Sequence, residues 1–188
     1  LFRSPRPMRA DSALGAADRA MLEGVARDTW RLFERCVGPD DHHLPPDNLQ
    51  TAPQTMLARR TSPTNIGLYL LAAACARRFG WIGTQELIAR LEATLATLAT
   101  LPRHRGHFLN WYDTEHATAL HPQYVSTVDS GNLSGALLAV AQACRELAQA
   151  PDAIETTRRA LGWSAARLRP SGAALAARPD GALAALLA

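Results

Sequence analysis

An all-α fold is predicted by the periodicity of this chain. Apolar residues return at intervals of three and four through most of its length, and Ala and Leu dominate those runs. Each run is bounded by a hydroxyl, proline or glycine of the kind that starts or stops a helix. No two segments alternate apolar and polar residues as paired strands would, so no true strand pair is expected.

The first helix is expected from Asp11, where Ser12 can cap it, with Leu14, Met21, Val25, Trp30, Phe33 and Val37 as its apolar stripe. Gly38-Pro39 stops it. Asp40 to Thr61 holds Pro45, Pro46, Pro53 and two adjacent histidines but few periodic apolar positions. So long a stretch is either an ordered loop, often a functional one, or a disordered one. Ser62-Pro63 opens a second helix with a hydroxyl at the cap and proline in the first turn. Ile66, Leu68 to Leu71, Ala72 to Ala74 and Phe79 make it apolar nearly all round, which predicts burial. Gly80 ends it, and after Trp81-Ile82-Gly83 a third helix starts at Thr84, striped by Leu87, Ile88, Leu91, Leu95 and Leu98 and closed by Pro102. So short a link makes the two an antiparallel αα-hairpin. Gly106 to Tyr124 is aromatic, histidine-rich and aperiodic, a loop with room for one short strand. A fourth helix is expected from Thr127 to Ala150, through Leu133, Leu137, Leu138, Val140, Ala141, Cys144 and Leu147. Pro151-Asp152 restarts a fifth, to about Arg169.

At 188 residues the chain matches one domain of ordinary size, and 47% hydrophobic with 20% charged residues places it among globular rather than disordered proteins. Residues 1–10 read as a linker, 11–169 as the helical domain and 170–188 as an Ala-rich tail. The linker is basic and broken by Pro5 and Pro7, which fits a segment leaving a membrane anchor on the cytoplasmic side or, equally, an exposed disordered end. No window reaches the roughly 18 apolar residues of a membrane span. Every basic side chain is Arg, the net charge is only +3, and the arginines do not gather on one helix with interleaved aromatics, which argues against nucleic acid as a partner. Cys36, Cys75 and Cys144 sit one to a segment inside apolar patterns, with no metal-ligand spacing, and are expected as reduced core residues of a cytosolic domain. His104, His107, His116 and His121 lack the two-histidine helical spacing of a zinc site, and no metal or cofactor is expected in this stretch.

Three polar clusters fall where helices begin or end: Arg59 to Asn65, Gly106 to Asp113, and Val125 to Asn132. Hydroxyls, amides, Arg and carboxylates beside Trp and Tyr suit a sugar, whose rings stack on aromatic faces while its hydroxyls need paired polar partners. The same residues would also serve as three helix caps with a buried aromatic or two. Asp113 and Asp129 are the candidate catalytic carboxylates, since glycoside chemistry commonly uses a pair, although Asp129 can equally cap the fourth helix. Candidate substrate-binding residues are Arg60, Thr61, Asn65, Asn110, Trp111, Tyr112, Asp113, Ser126, Asp129 and Asn132.

Four stretches carry a resemblance: Arg60-Thr61-Ser62-Pro63-Thr64-Asn65-Ile66-Gly67-Leu68-Tyr69-Leu70-Leu71; Phe79-Gly80-Trp81-Ile82-Gly83; Arg105-Gly106-His107-Phe108-Leu109-Asn110-Trp111-Tyr112-Asp113; and Tyr124-Val125-Ser126-Thr127-Val128-Asp129-Ser130-Gly131-Asn132-Leu133. In this order they resemble bacterial cyclic β-1,2-glucan synthases, from about Ala20 to Leu147. The resemblance implies a parent enzyme in which a membrane-embedded glycosyltransferase extends β-1,2-glucan from UDP-glucose, a glucoamylase-like helical domain closes the ring by transglycosylation, and a phosphorylase-like domain trims the chain. This stretch resembles the start of that helical domain, which implies an incomplete six-hairpin (α/α) toroid on the cytoplasmic side of the bacterial inner membrane. It also implies β-1,2-glucan and the parent's remaining domains as partners, with the membrane reached only through upstream spans.

After about Ala150 the resemblance fades, and the later part of the helical domain, where the resemblance places the family's catalytic glutamates, is expected to lie outside this stretch. Glu34, Glu86, Glu92, Glu115, Glu146 and Glu155 are poor substitutes, most of them on apparent helix faces where solvation is the plainer reading. The alternative to an enzyme segment is a non-catalytic helical module that binds glucan or couples neighbouring domains; a phosphorylase or endo-glucanase of similar build ranks third. A truncated toroid is further expected to expose apolar surface and to self-associate.

Overall fold

A computed structural model describes residues 14–149 and 154–176, with side chains as far as residue 165. Among the described residues there are five helices: α1 (Ala16–Cys36), α2 (Pro63–Phe79), α3 (Thr84–Thr100), α4 (Thr127–Gln149) and α5 (Ile154–Ala176). The proposed cap Ser12 and the linker 1–10 lie outside the described residues, and within them α1 begins after Gly15, which offers no side-chain cap. At α2 the sequence signal holds: the Ser62 hydroxyl accepts from the Asn65 backbone N–H at 3.2 Å, with Pro63 in the first turn. Gly80 ends α2 at φ 72°, a left-handed conformation that a side chain would strain. The fifth helix outruns its expected end near Arg169, because its Ala-rich sequence carries the helix through Pro170 to Ala176 at the loss of one backbone bond. The tail beyond Ala176 lies outside the described residues.

The helices form two layers. Near their starts, α2 and α4 are joined through Thr64 and Asn132, and near their ends Arg78 and Glu146 lie 4.0 Å apart, so the two run side by side in the same direction. Gly67 lets them approach: a Cβ there would meet Ala136 Cβ at 3.0 Å and Leu133 Cα at 3.3 Å. In the hairpin, α3 runs against α2, with Arg77 bonded to Thr84 near the turn and Arg90 reaching the Tyr69 hydroxyl at 3.5 Å. The first helix also opposes α2, since Phe33 packs on Tyr69 and Arg27 lies over Trp81. Glu23 and Arg27 of α1 meet Arg159 and Trp163 of α5, so those two are parallel.

The core gathers Trp30, Leu44, Ile66, Tyr69, Leu70, Ala73, Ile82, Leu87, Leu98, Tyr112 and Leu133. Several expected core positions lie outside it. Trp30 and Val37 of the α1 stripe are buried and Phe33 packs on the core, but Leu14, Met21 and Val25 are exposed because α2 covers only the later turns of α1. Leu68 is exposed on α2, as are Ile88 and Leu95 on α3 and Leu138 on α4, and Phe79 is part-exposed while stacking on the Trp81 ring at 4.6 Å. The cysteines are corrected too. Cys36 is half-buried and Cys75 and Cys144 are exposed, being on uncovered faces. Burial pushes the Cys36 thiol up, against the lowering influence of Arg35.

Strand pairs are also present, contrary to expectation. Among the described residues seven two-residue strands make three ribbons: β1 (Leu49–Gln50) with β2 (Met56–Leu57), β3 (Arg60–Thr61) with β6 (Tyr112–Asp113), which also pairs with β7 (Thr118–Ala119), and β4 (Arg103–His104) with β5 (His107–Phe108). Two residues cannot display an alternating pattern, which is why the sequence hid them. The long loop of residues 38–48 is ordered against α3 and the β6–β7 turn: Thr94 and Thr97 donate to the His43 and His42 carbonyls, and Thr114 donates to buried Asp41 at 2.6 Å.

Candidate functional site

Strand β3 leads directly into α2, so its register aims the first polar cluster. Arg60 lies opposite Asp113 and Thr61 opposite Tyr112 on β6. Partners across an antiparallel ribbon share a face, and here the first pair faces outward while the second is buried.

On the outward side Arg60 is fixed twice. Its Nε and Nη2 donate to Asp47 Oδ2 at 3.2 and 3.0 Å, and its guanidinium stacks over the Trp111 ring at 4.9 Å. Asn65 donates to the other Asp47 oxygen at 3.3 Å. One residue earlier on α2, Thr64 donates to Asp129 Oδ1 and accepts from Asn132 Nδ2 at 3.1 Å. Ser126 caps α4 by accepting from the Asp129 backbone N–H at 3.2 Å. Adjacent residues Thr64 and Asn65 thus join two hydrogen-bonded groups into one polar ledge across the N-terminal ends of α2 and α4, with Trp111 at its edge.

Other candidates support this ledge from behind. Thr61, Asn110 and Tyr112 are at most 3% exposed, too deep to touch a ligand on its surface, which corrects their expected role as contact residues. Asn110 donates its backbone N–H to the Tyr124 carbonyl at 2.9 Å, and its side-chain oxygen accepts from the Tyr124 N–H at 3.2 Å. The Tyr112 hydroxyl accepts from the Leu109 N–H at 2.7 Å and donates to the Pro102 carbonyl at 2.8 Å. Burial pushes its pKa up, against the lowering effect of the Leu109 bond. Asp113 is turned into the β6–β7 turn, where it accepts from the backbone and ring of His116 at 2.7 and 3.0 Å. Burial would raise its pKa, but these bonds from His116 outweigh it and hold the carboxyl below its usual value.

Of the candidates, then, Arg60, Asn65, Trp111, Ser126, Asp129 and Asn132 come together, Asp113 faces its own turn, and three lie behind. Sequence reading missed Asp47, the acceptor shared by Arg60 and Asn65, and passed over Thr64. Nothing in the pattern of a proline-rich loop distinguishes Asp47 from Asp40 or Asp41; only the fold brings it to the start of α2.

The chain is 55% identical over 132 residues, 70% of its length, to the cyclic β-(1,2)-glucan synthase NdvB of Rhizobium meliloti. The resemblance to cyclic β-1,2-glucan synthases is borne out. The matched stretch spans 5% of that synthase, so this chain corresponds to a small part of a much larger protein. Two solved structures share its helical build: a glucoamylase-like protein of Bacteroides fragilis, with a TM-score of 0.58 and 20% identity over 82% of this chain and 36% of its own, and one of Bacteroides caccae, with 0.55 and 20% over 76% and 35%. At that identity they speak for the fold alone, and they support the all-α, glucoamylase-like class for this chain. No protein-family model matches the chain. Among the described residues no helix is long and apolar enough to cross a membrane.

Proposed function

We propose that this cyclic glucan synthase segment supplies one arc of a glucan-processing helical toroid and that its polar ledge binds β-1,2-glucan during ring closure. The observation that carries the reading is the pairing of a fixed Arg60–Trp111 stack with the Thr64–Asp129–Asn132 group on neighbouring helix starts. An aromatic edge beside oriented donors and acceptors matches a pyranose ring, apolar on its faces and hydroxylated at its rim. Parallel α2 and α4 under an opposing layer of α1, α3 and α5 fit successive hairpins of a toroid. The remaining hairpins, UDP-glucose-dependent chain extension and attachment to the cytoplasmic side of the inner membrane belong to the parent protein on this reading.

Of the two candidate carboxylates, Asp129 is better placed for glucan. One of its oxygens accepts from Thr64, and the other has no partner among the described residues. Asp113 is held by His116. The deciding experiment incubates the parent synthase with linear β-1,2-glucan and follows cyclic products. Asp129→Asn is expected to lower turnover by at least about tenfold, as loss of a charged contact to a sugar does, with Asp113→Asn close to wild type. Equal activity of Asp129→Asn and wild type would remove the ledge from the reaction. Glucan binding retained in a parent that makes no cyclic product would support the alternative of a non-catalytic binding module.

A further inference from the structure

We propose that Asp47 is a positioning residue for glucan recognition, acting through Arg60; this rests on the glucan-binding reading above. Asp47 arrives from the loop before β1, with its backbone N–H on the Ala58 carbonyl at 3.2 Å, and is mostly buried while Arg60 is half exposed. Its two oxygens divide their work: Oδ2 receives Nε and Nη2 of Arg60, and Oδ1 receives the Asn65 amide. With one edge of the guanidinium held by Asp47 and one face on Trp111, only Nη1 remains without a partner among the described residues. An arginine on a free stem samples many rotamers, and ordering it on binding costs about 0.5–1.5 kcal/mol. Asp47 and Trp111 settle that cost during folding, so Nη1 presents its donors to a sugar hydroxyl in a fixed direction. By drawing the Asn65 amide nitrogen inward, Asp47 also turns the Asn65 oxygen into an available acceptor, which gives a donor and an acceptor side by side for neighbouring hydroxyls.

The role differs from mere support of the loop because it passes through one named partner. Titration of the 188-residue chain with linear β-1,2-glucan, followed by calorimetry and by tryptophan fluorescence, separates the two. Asp47→Ala is expected to weaken binding by about tenfold with the far-UV circular dichroism unchanged, and Asp47→Asn by a smaller factor, since a neutral amide still accepts one bond. In an Arg60→Ala background the same Asp47→Ala change is expected to cost no more than about threefold, the part that acts through Asn65. Should Asp47→Ala bind as wild type does, or lose as much without Arg60 as with it, the positioning role is overturned while glucan binding stands. Absence of binding by the wild-type chain overturns both. Loss of helicity in Asp47→Ala together with unchanged binding in well-folded Asp47→Asn would reduce Asp47 to a support of the loop and overturn the inference.

Discussion

Among the described residues Arg27, Arg60 and Arg90 each stack on tryptophan and pair with a carboxylate, and Arg27 and Arg60 differ chiefly in burial. Arg27 on α1 lies over Trp163 at 4.7 Å and Trp81 at 5.6 Å and donates to both oxygens of Glu34, with its side chain 9% exposed. Arg60 on β3 lies over Trp111 at 4.9 Å and donates to Asp47, with its side chain 53% exposed. The first ties α1 to α5 and to the α2–α3 link, where only Nη2 finds a hydrogen-bond acceptor and Nε and Nη1 are buried without one among the described residues. The second is half exposed, so its unused Nη1 is open to a ligand. The same chemistry serves architecture where it is sealed and recognition where it is open.

The largest expected effect comes from cutting the sealed pair. Glu34→Gln strands the Arg27 charge in the interior and is expected to destabilise by about 3–5 kcal/mol, read from urea unfolding of the chain. Arg60→Ala in the same measurement is expected to cost no more than about 1 kcal/mol, because an exposed ion pair gains little over its hydrated halves. Similar losses in both variants would erase the division between the two sites.

Tyr112→Phe tests what lies between them, a buried group that holds the ledge without touching ligand. Its hydroxyl answers the Leu109 N–H and the Pro102 carbonyl, and removal leaves both unmet at an expected cost of about 1–3 kcal/mol in thermal or urea unfolding. A loss in glucan affinity without any loss in stability would instead move Tyr112 to the ledge surface.

These residues also show how far the sequence could be read. The ends of helix α2 are legible because their signals are local: Ser62, Pro63 and Gly80 act within a few residues of where they stand, whereas the exposure of Leu68 and Phe79 is set by its neighbours. Helix α1 is half legible, since Trp30, Phe33 and Met21 look alike in a periodic pattern and only the position of α2 decides which are covered. The site follows the same rule. Arg60, Asn65, Trp111 and Asp129 announce themselves by chemistry beside helix starts, whereas Asp47 reaches Arg60 across 13 positions of proline-rich loop. Tyr112 looks like a sugar platform in sequence, and burial makes it a strut.

The smallest expected effect belongs to Asp113, the carboxylate on the open side that serves its own turn. Its folded pKa lies below its unfolded value, so the His116 bonds stabilise the fold fully above the ordinary aspartate range of about pH 4. That contribution fades as the pH falls through the lower folded value, where Asp113 takes a proton even in the native state. Because the group is partly exposed, it is expected to be worth under about 1 kcal/mol. Asp113→Asn should therefore be slightly less stable than wild type in urea at pH 6, with the two curves converging as the pH is taken down toward 2.5. A gap that persists at the lowest pH would mean that the turn depends on the shape of the side chain and not on its charge, and Asp113 would then stand with Tyr112 among the struts.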